Sequence, residues 1–232
     1  MKTQKPFLAQ HGFTLVELAV VIAMIGLILG AVAVGKDLQR SAVYQRITTE
    51  FVQGWMISYD AYVGGNGVVP GDTPATPTGR VNASGNELCD NALLNVFLAA
   101  GIRLPEGRAE GQQNRAAYLD SNGNPQEVEV CLQSVDWAEP GAAVGTYVSR
   151  TRNVLVLKSV TPALATMLDS QIDNRPDARF GRVRELAQAN AVATLVGQLW
   201  SVDERMRFGS VVATNRDEDQ IAVTTVLVQM NQ

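Results

Sequence analysis

The chain has one histidine in 232 residues, His11, and two cysteines, Cys89 and Cys131. With its only imidazole this close to the amino terminus, the rest of the chain lacks the commonest general base and the commonest metal ligand. Two cysteines permit one bridge at most. No nucleophile–base pair, phosphate loop or metal-ligand spacing stands out, so the residues offer no enzymatic reading and call for no cofactor. Charge is sparse at 18% of residues, whereas the 46% hydrophobic share is ordinary for a folded chain. The net charge of −4 falls to −6 when the amino-terminal Lys2 and Lys5 are left out, which argues against broad electrostatic binding to nucleic acid.

Charge is missing altogether from Leu18 to Gly35, and Phe13–Val16 extend that apolar run upstream. At ~1.5 Å per residue, positions 13–35 are long enough to cross the hydrocarbon layer of a bilayer. Glu17 stands at the mouth of the run. A charge at the bilayer centre costs ~2.5–3.5 kcal/mol or more, so an acid in such a segment points to a function and a partner. If the chain is cut between Gly12 and Phe13, the new amino group of a neighbouring subunit is that partner. Two other readings fit parts of the same stretch. A secretory signal peptide would use Lys2 and Lys5 as its basic region and Ala31-Val32-Ala33 as its cleavage site. A plain single-pass anchor would let Glu17 snorkel to the interface.

Gly12-Phe13-Thr14-Leu15-Val16-Glu17 after a short basic leader resembles the processing site of type IV prepilins and the pseudopilins of type II secretion. The resemblance implies cleavage after Gly12 by a prepilin peptidase, N-methylation of Phe13, and docking into a helical filament guided by Glu17. It also implies a pilin-like α+β fold, in which one long amino-terminal helix packs on an antiparallel β-sheet head. Many pilins carry a proline near the end of the apolar segment; here Ala33 and Val34 stand there and no proline occurs. Gly26 and Gly30 form a G-x-x-x-G pair, with Ala19 and Ala23 close to the same face, suited to close helix approach.

The domain plan is a leader at 1–12, a membrane or filament-core helix at 13–35, an amphipathic helix at 36–63 and a globular head at 64–232. In the amphipathic part, Leu38, Ala42, Val43, Ile47, Phe51, Val52, Trp55, Tyr59 and Tyr62 recur at helical spacing. Gly64-Gly65-Asn66-Gly67 stops that helix. Val68–Gly79 reads as a proline-rich loop whose Pro70-Gly71-Asp72 resembles a short signature of minor pilins. The pattern predicts a helix at Asn86–Ala100, loop over 102–126, and a strand at Glu127–Val135 with Cys131 opposite Val128, Val130 and Leu132. It predicts a strand buried on both faces at Asn153–Val160 and a helix from Thr161-Pro162 onward. Positions 187–200 read as an alanine-rich helix. Ser210–Thr214 and Ile221–Val228 read as a hairpin around a turn at Asn215–Asp219. Asp169 through Asp173, with Gly181-Arg182-Val183, resembles a D-x-x-I-D … G-x-V signature of some minor pilins.

Lys2 and Lys5 without acidic neighbours place the amino terminus on the cytoplasmic side. The head then lies in an oxidising space where Cys89 and Cys131 pair; two separate buried thiols are the alternative. Asp120-Ser121-Asn122 and Asp217-Glu218-Asp219 are oxygen-rich turns. The first lacks the EF-hand spacing, and both are calcium candidates only beside the simpler reading of solvated turns. Arg175, Arg179, Arg182 and Arg184 surround Phe180, the place to look for DNA contact, although Asp173 and Asp177 interrupt the cluster.

The resulting expectation is a non-enzymatic minor-pilin-like subunit of a bacterial inner-membrane precursor pool, later in a periplasmic or surface filament. Its partners would be other pilin subunits, the prepilin peptidase, the assembly platform and lipid. A type II pseudopilin, or a secreted or anchored binding protein with a conventional signal, are the alternatives.

Overall fold

The computed structural model describes residues 14–193, 196–200, 221 and 223–231. They fall into two compact units, one ending at Ser41 and one starting at Ala42. The leader, the strand expected at Ser210–Thr214 and the turn at Asn215–Asp219 lie outside the described residues.

The first unit holds most of helix α1 (Leu15–Arg46). Leucine, isoleucine, valine and alanine dominate it, no proline interrupts it, and its backbone bonds close within the segment. Leu15, Leu27 and Leu29 are 86%, 75% and 66% exposed, and no side chain described from Leu15 to Gln39 is buried.

In the second unit the helical chain continues as a π-turn (Ile47–Val52) and helix α2 (Gln53–Asn66). At the π-turn the hydroxyls of Thr48 and Thr49 donate to the carbonyls of Tyr44 and Gln45, at 2.9 and 2.8 Å. Such back-bonding competes with the backbone ladder and accompanies wider turns. The buried stripe is Tyr44, Ile47, Phe51, Val52, Trp55, Tyr59 and Tyr62. Leu38 and Ala42, expected on that stripe, are exposed. Gly67, at φ +71° and with its N–H on Val63 O, closes α2.

Among the described residues the head holds an antiparallel five-stranded sheet in the order β1-β2-β3-β5-β4. The strands are β1 (Arg115–Leu119), β2 (Pro125–Pro140), β3 (Tyr147–Val160), β4 (Val183–Glu185) and β5 (Thr224–Gln229). Together with helices α3 (Asp90–Ala99) and α4 (Pro162–Asp173) they make the α+β fold. Side chains alternate across the sheet. Val128, Val130, Leu132, Leu155, Leu157, Val226 and Val228 join the main core with the helices. Cys131, Val154, Val156 and Leu227 point the other way, into a smaller cluster with Trp137 and Ala189. Burial on both faces explains why Val154–Leu157 is apolar at every position. Trp55 lies fully buried, its indole N–H donating to Gln113 O at 3.1 Å and its ring edge-on to Phe97 at 5.5 Å. Such a ring pair adds about 0.5–1.5 kcal/mol beyond burial.

Three further local expectations are corrected. Strand β1 lies in the stretch 102–126 read as loop; Arg115-Ala116-Ala117-Tyr118-Leu119 has weak alternation and becomes a strand by pairing with Pro125–Glu129. Helix α3 begins at Asp90 rather than Asn86, because Leu88 exchanges backbone hydrogen bonds with Leu132 before the chain can turn. The alanine-rich helix at 187–200 is absent from the described part of that stretch, where a single 3-10 turn (Leu186–Gln188) is followed by turns and irregular chain. The carbonyl of Ala189 accepts from Ala138 N–H and from the Arg184 guanidinium, so it is unavailable to a helix. Tertiary pairing overrides alanine's propensity there.

Candidate functional site

At the first turn of α1, Thr14 and Glu17 cap each other. Thr14 N–H and Oγ1 donate to Glu17 Oε2 at 2.8 and 2.9 Å, and Glu17 N–H donates back to Thr14 Oγ1 at 3.2 Å. Two of the helix's orphan donors are thereby satisfied reciprocally. The T-x-x-E spacing carries this signal in the sequence, although there Glu17 reads only as an assembly group. Gly12 and Phe13 lie outside the described residues.

A Cβ added at Gly26 or Gly30 would meet nothing within 4 Å. Among the described residues no contact requires glycine at either position. With Ala23, Ala31 and Gly35 they line a shallow groove along α1.

In the Pro70-Gly71-Asp72 signature, the carboxylate of Asp72 accepts the N–H groups of Thr73, Thr78 and Gly79 at 2.8–2.9 Å. Gly71, at φ +77°, passes so close to the chain that a Cβ would sit 2.9 Å from Asn82 Cα. The loop is then pinned to the sheet. Asn153 donates to Gly79 O at 3.0 Å, while its Oδ1 accepts from Ser134 Oγ at 2.6 Å.

The second signature works alike. Asp169 Oδ2 accepts Asp177 N–H at 2.6 Å, and Asp173 Oδ2 accepts the N–H groups of Arg182 and Val183 at 2.7 and 2.9 Å. Gly181, at φ +88°, leaves room for Asp173, whose carboxylate would collide with a Cβ there. Burial pushes the Asp169 carboxyl up to about 7, the Asp177 N–H opposing and the Asp173 charge adding to the effect.

Three of the four clustered arginines are engaged within the head. Arg179 donates to Val196 O, Gln188 Oε1 and Gln198 Oε1. Arg182 reaches Gln229 O and Asn231 Oδ1. Arg184 donates to Ala138 O and lies 4.2 Å from the centre of the Trp137 ring, where burial pushes its guanidinium down to about 10. Arg175 lines a cavity of about 420 Å³ with Tyr147, Asp173, Asp177 and Phe180. This arrangement braces a loop.

Asp120 is 2% exposed, and its carboxylate accepts from Asn122 N–H, Asn124 N–H and Gln126 Nε2 at 2.9–3.0 Å. It closes its own turn. Asn122 lies in that turn, whereas Asp217 and Asp219 lie outside the described residues. Cys89 and Cys131 are joined as a disulfide across 42 positions of sequence. Among the described residues, the only three acid, thiol or imidazole groups close enough to share an ion are Glu87, Cys89 and Cys131, two of which form that bridge.

These features define an α+β head and, as a separate unit, an apolar helix whose described side chains are exposed. Among the described residues that helix alone is long and apolar enough to cross a membrane. Residues 8–33 match the family model of the prokaryotic N-terminal methylation motif, and that motif supports a chain of the type IV prepilin or pseudopilin kind. No curated protein and no solved structure matches it. The motif supports a pilin-like structural subunit of the kind processed by a prepilin peptidase.

Proposed function

We propose that the chain is a minor-pilin-like filament subunit, cleaved after Gly12, methylated at Phe13 and assembled through α1. The observation that carries this reading is the uncovered apolar surface of α1 with a single carboxylate, Glu17, at its first turn. Leader 1–12 is removed, 13–35 enters the filament core, 36–63 backs the head, and 64–232 forms it. Before assembly α1 spans the inner membrane with its amino terminus in the cytoplasm, held by lipid and then by the assembly platform.

In the subunit, Glu17 is satisfied by Thr14 within its own helix. In a dry bundle of apolar helices, pairing with the Phe13 amine of a neighbour compensates its burial; an unpaired carboxylate there is strongly penalised. Incorrect register leaves that acid alone, so the same pair that attracts also selects. Gly26 and Gly30 let neighbouring helices approach closely. The minor-subunit reading is supported by the two head signatures. A pseudopilin would share every one of these steps and differ in the machine served.

Intact mass and amino-terminal sequencing of protein from membranes, with and without a prepilin peptidase, test the proposal. A peptidase-dependent start at N-methyl-Phe13 is expected. A start at Val34 would mean a conventional secreted protein, and an uncut chain in the presence of the peptidase would mean a simple anchor; either overturns it.

A further inference from the structure

The two sulfurs of the disulfide sit in unlike surroundings. Cys131 is fully buried in the middle of β2. Cys89 is partly exposed and forms the N-cap of α3. The ammonium of Lys158, from β3, lies 3.6 Å from Cys89 Sγ and 2.9 Å from Glu87 Oε2. An adjacent lysine and the amino end of a helix both favour a thiolate over a thiol, and burial in apolar surroundings disfavours it. The charged groups nearby are Lys158, Glu87, Asp90 and Arg115. Asp90 is held by Arg115 at 2.8 Å, and Arg115 also binds Glu127 and Glu129. Among the described residues Glu87 is the carboxylate grouped with the two sulfurs, and it is paired with Lys158.

We propose that Cys89 is the entry sulfur of this bridge: in the reduced chain its thiolate attacks the disulfide of an oxidising protein, forming a mixed disulfide that Cys131 resolves. The first step forms a bond between Cys89 Sγ and one partner sulfur and releases the other partner sulfur as thiolate. In the second, the Cys131 thiolate, its proton passed to solvent, attacks Cys89 Sγ and expels the remaining partner sulfur. The net change is two protein thiols oxidised and one partner disulfide reduced to a dithiol. The Cα atoms of the pair are 4.6 Å apart, so the resolving sulfur needs no large movement of chain. Lys158 is a positioning residue that holds Cys89 in its reactive form. The inference goes beyond filament assembly, and its chemistry can be tested in solution whichever machine the subunit serves.

The full chain in detergent micelles is reduced, desalted and exposed to limiting iodoacetamide across pH 6–9, and the alkylated cysteine is mapped by mass spectrometry. Cys89 should be alkylated at least about tenfold faster than Cys131, with a midpoint below the ~8.5 of a free thiol. Lys158→Gln should slow Cys89 roughly threefold at pH 7 and raise its midpoint, and Glu87→Gln should do the reverse. Cys131→Ser should accumulate a mixed disulfide with 5,5′-dithiobis(2-nitrobenzoate), and Cys89→Ser should form it slowly. Equal alkylation of the two cysteines overturns the proposal, including equality caused by unfolding on reduction. So does faster alkylation of Cys131, or a Cys89 profile unchanged in both charge variants.

Discussion

Asp169 and Asp173, one turn apart on α4, both direct Oδ2 to backbone N–H groups of the loop that follows, Asp169 to Asp177 and Asp173 to Arg182 and Val183. The two carboxylates tie α4 to the chain entering β4. Their spacing from Gly181 is a consequence of that tie, since a side chain at Gly181 would occupy the place of the Asp173 carboxylate.

Gly181→Ala should therefore destabilise the head by about 2–3 kcal/mol, from its left-handed backbone and from the collision together. Combining it with Asp173→Ala should recover less than the whole loss, because the collision disappears while the backbone conformation and two unanswered N–H groups remain. Thermal unfolding of the two single variants and the double variant measures the coupling.

Asp169 gives the head a dependence on pH. The fold raises its carboxyl from an ordinary 3.8 to about 7, so the neutral acid is the form it favours. That contribution to stability is complete below the unfolded value of 3.8 and is lost as pH rises through about 7. Asp169→Asn keeps an oxygen for the Asp177 N–H and removes the charge. Its unfolding midpoint should vary less with pH from 4 to 8 than that of the parent chain, and should exceed it at pH 8. Identical slopes in the two proteins would exclude Asp169 as the source.

The capping pair and the proposed charge pair at Glu17 can be separated. Glu17→Gln retains an acceptor for Thr14, since glutamine serves the same capping position, but it has no charge for an amine. Both Glu17→Gln and Glu17→Ala should reduce entry into sheared filaments at least about tenfold, the scale of a lost buried charge pair. Immunoblotting of the filament and membrane fractions measures it. Normal entry of the glutamine variant would show that capping, rather than charge, is what Glu17 supplies.

Removing the disulfide should lower head stability by about 4 kcal/mol on chain-entropy grounds, given the long loop it closes. Cys89→Ala/Cys131→Ala, compared with the oxidised parent in urea, gives the number. A loss below about 1 kcal/mol would mean that the reduced ensemble already holds Leu88 against Leu132.

The head was legible in its periodic segments. The apolar run at Val154–Leu157, the proline-started helix α4 and the alternation at Val128, Val130 and Leu132 announce themselves, because burial imposes the period of the backbone on composition. Strand β1 was not legible: Arg115–Leu119 has little pattern of its own and exists as a strand through β2. The stretch after Leu186 misleads for the opposite reason. Its alanines favour helix locally, but the Ala189 carbonyl is committed to Ala138 and Arg184. The two head signatures could be recognised by spacing, yet their purpose could not. Asp72, Asp169 and Asp173 look like surface acids until the N–H groups they accept are seen.

The sequence by itself determined the apolar helix, the acid at its start and the methylation motif, since all three depend on composition and short-range order; the α+β class came from the resemblance those residues carry, and the sheet bears it out. Only the tertiary structure decided that Arg179, Arg182 and Arg184 are spent inside the head and that Asp120 closes its own turn. It alone sets Lys158 beside Cys89 rather than Cys131. Each of those outcomes depends on which distant residues share a neighbourhood, and a charged or polar side chain takes its role from the partner it finds there.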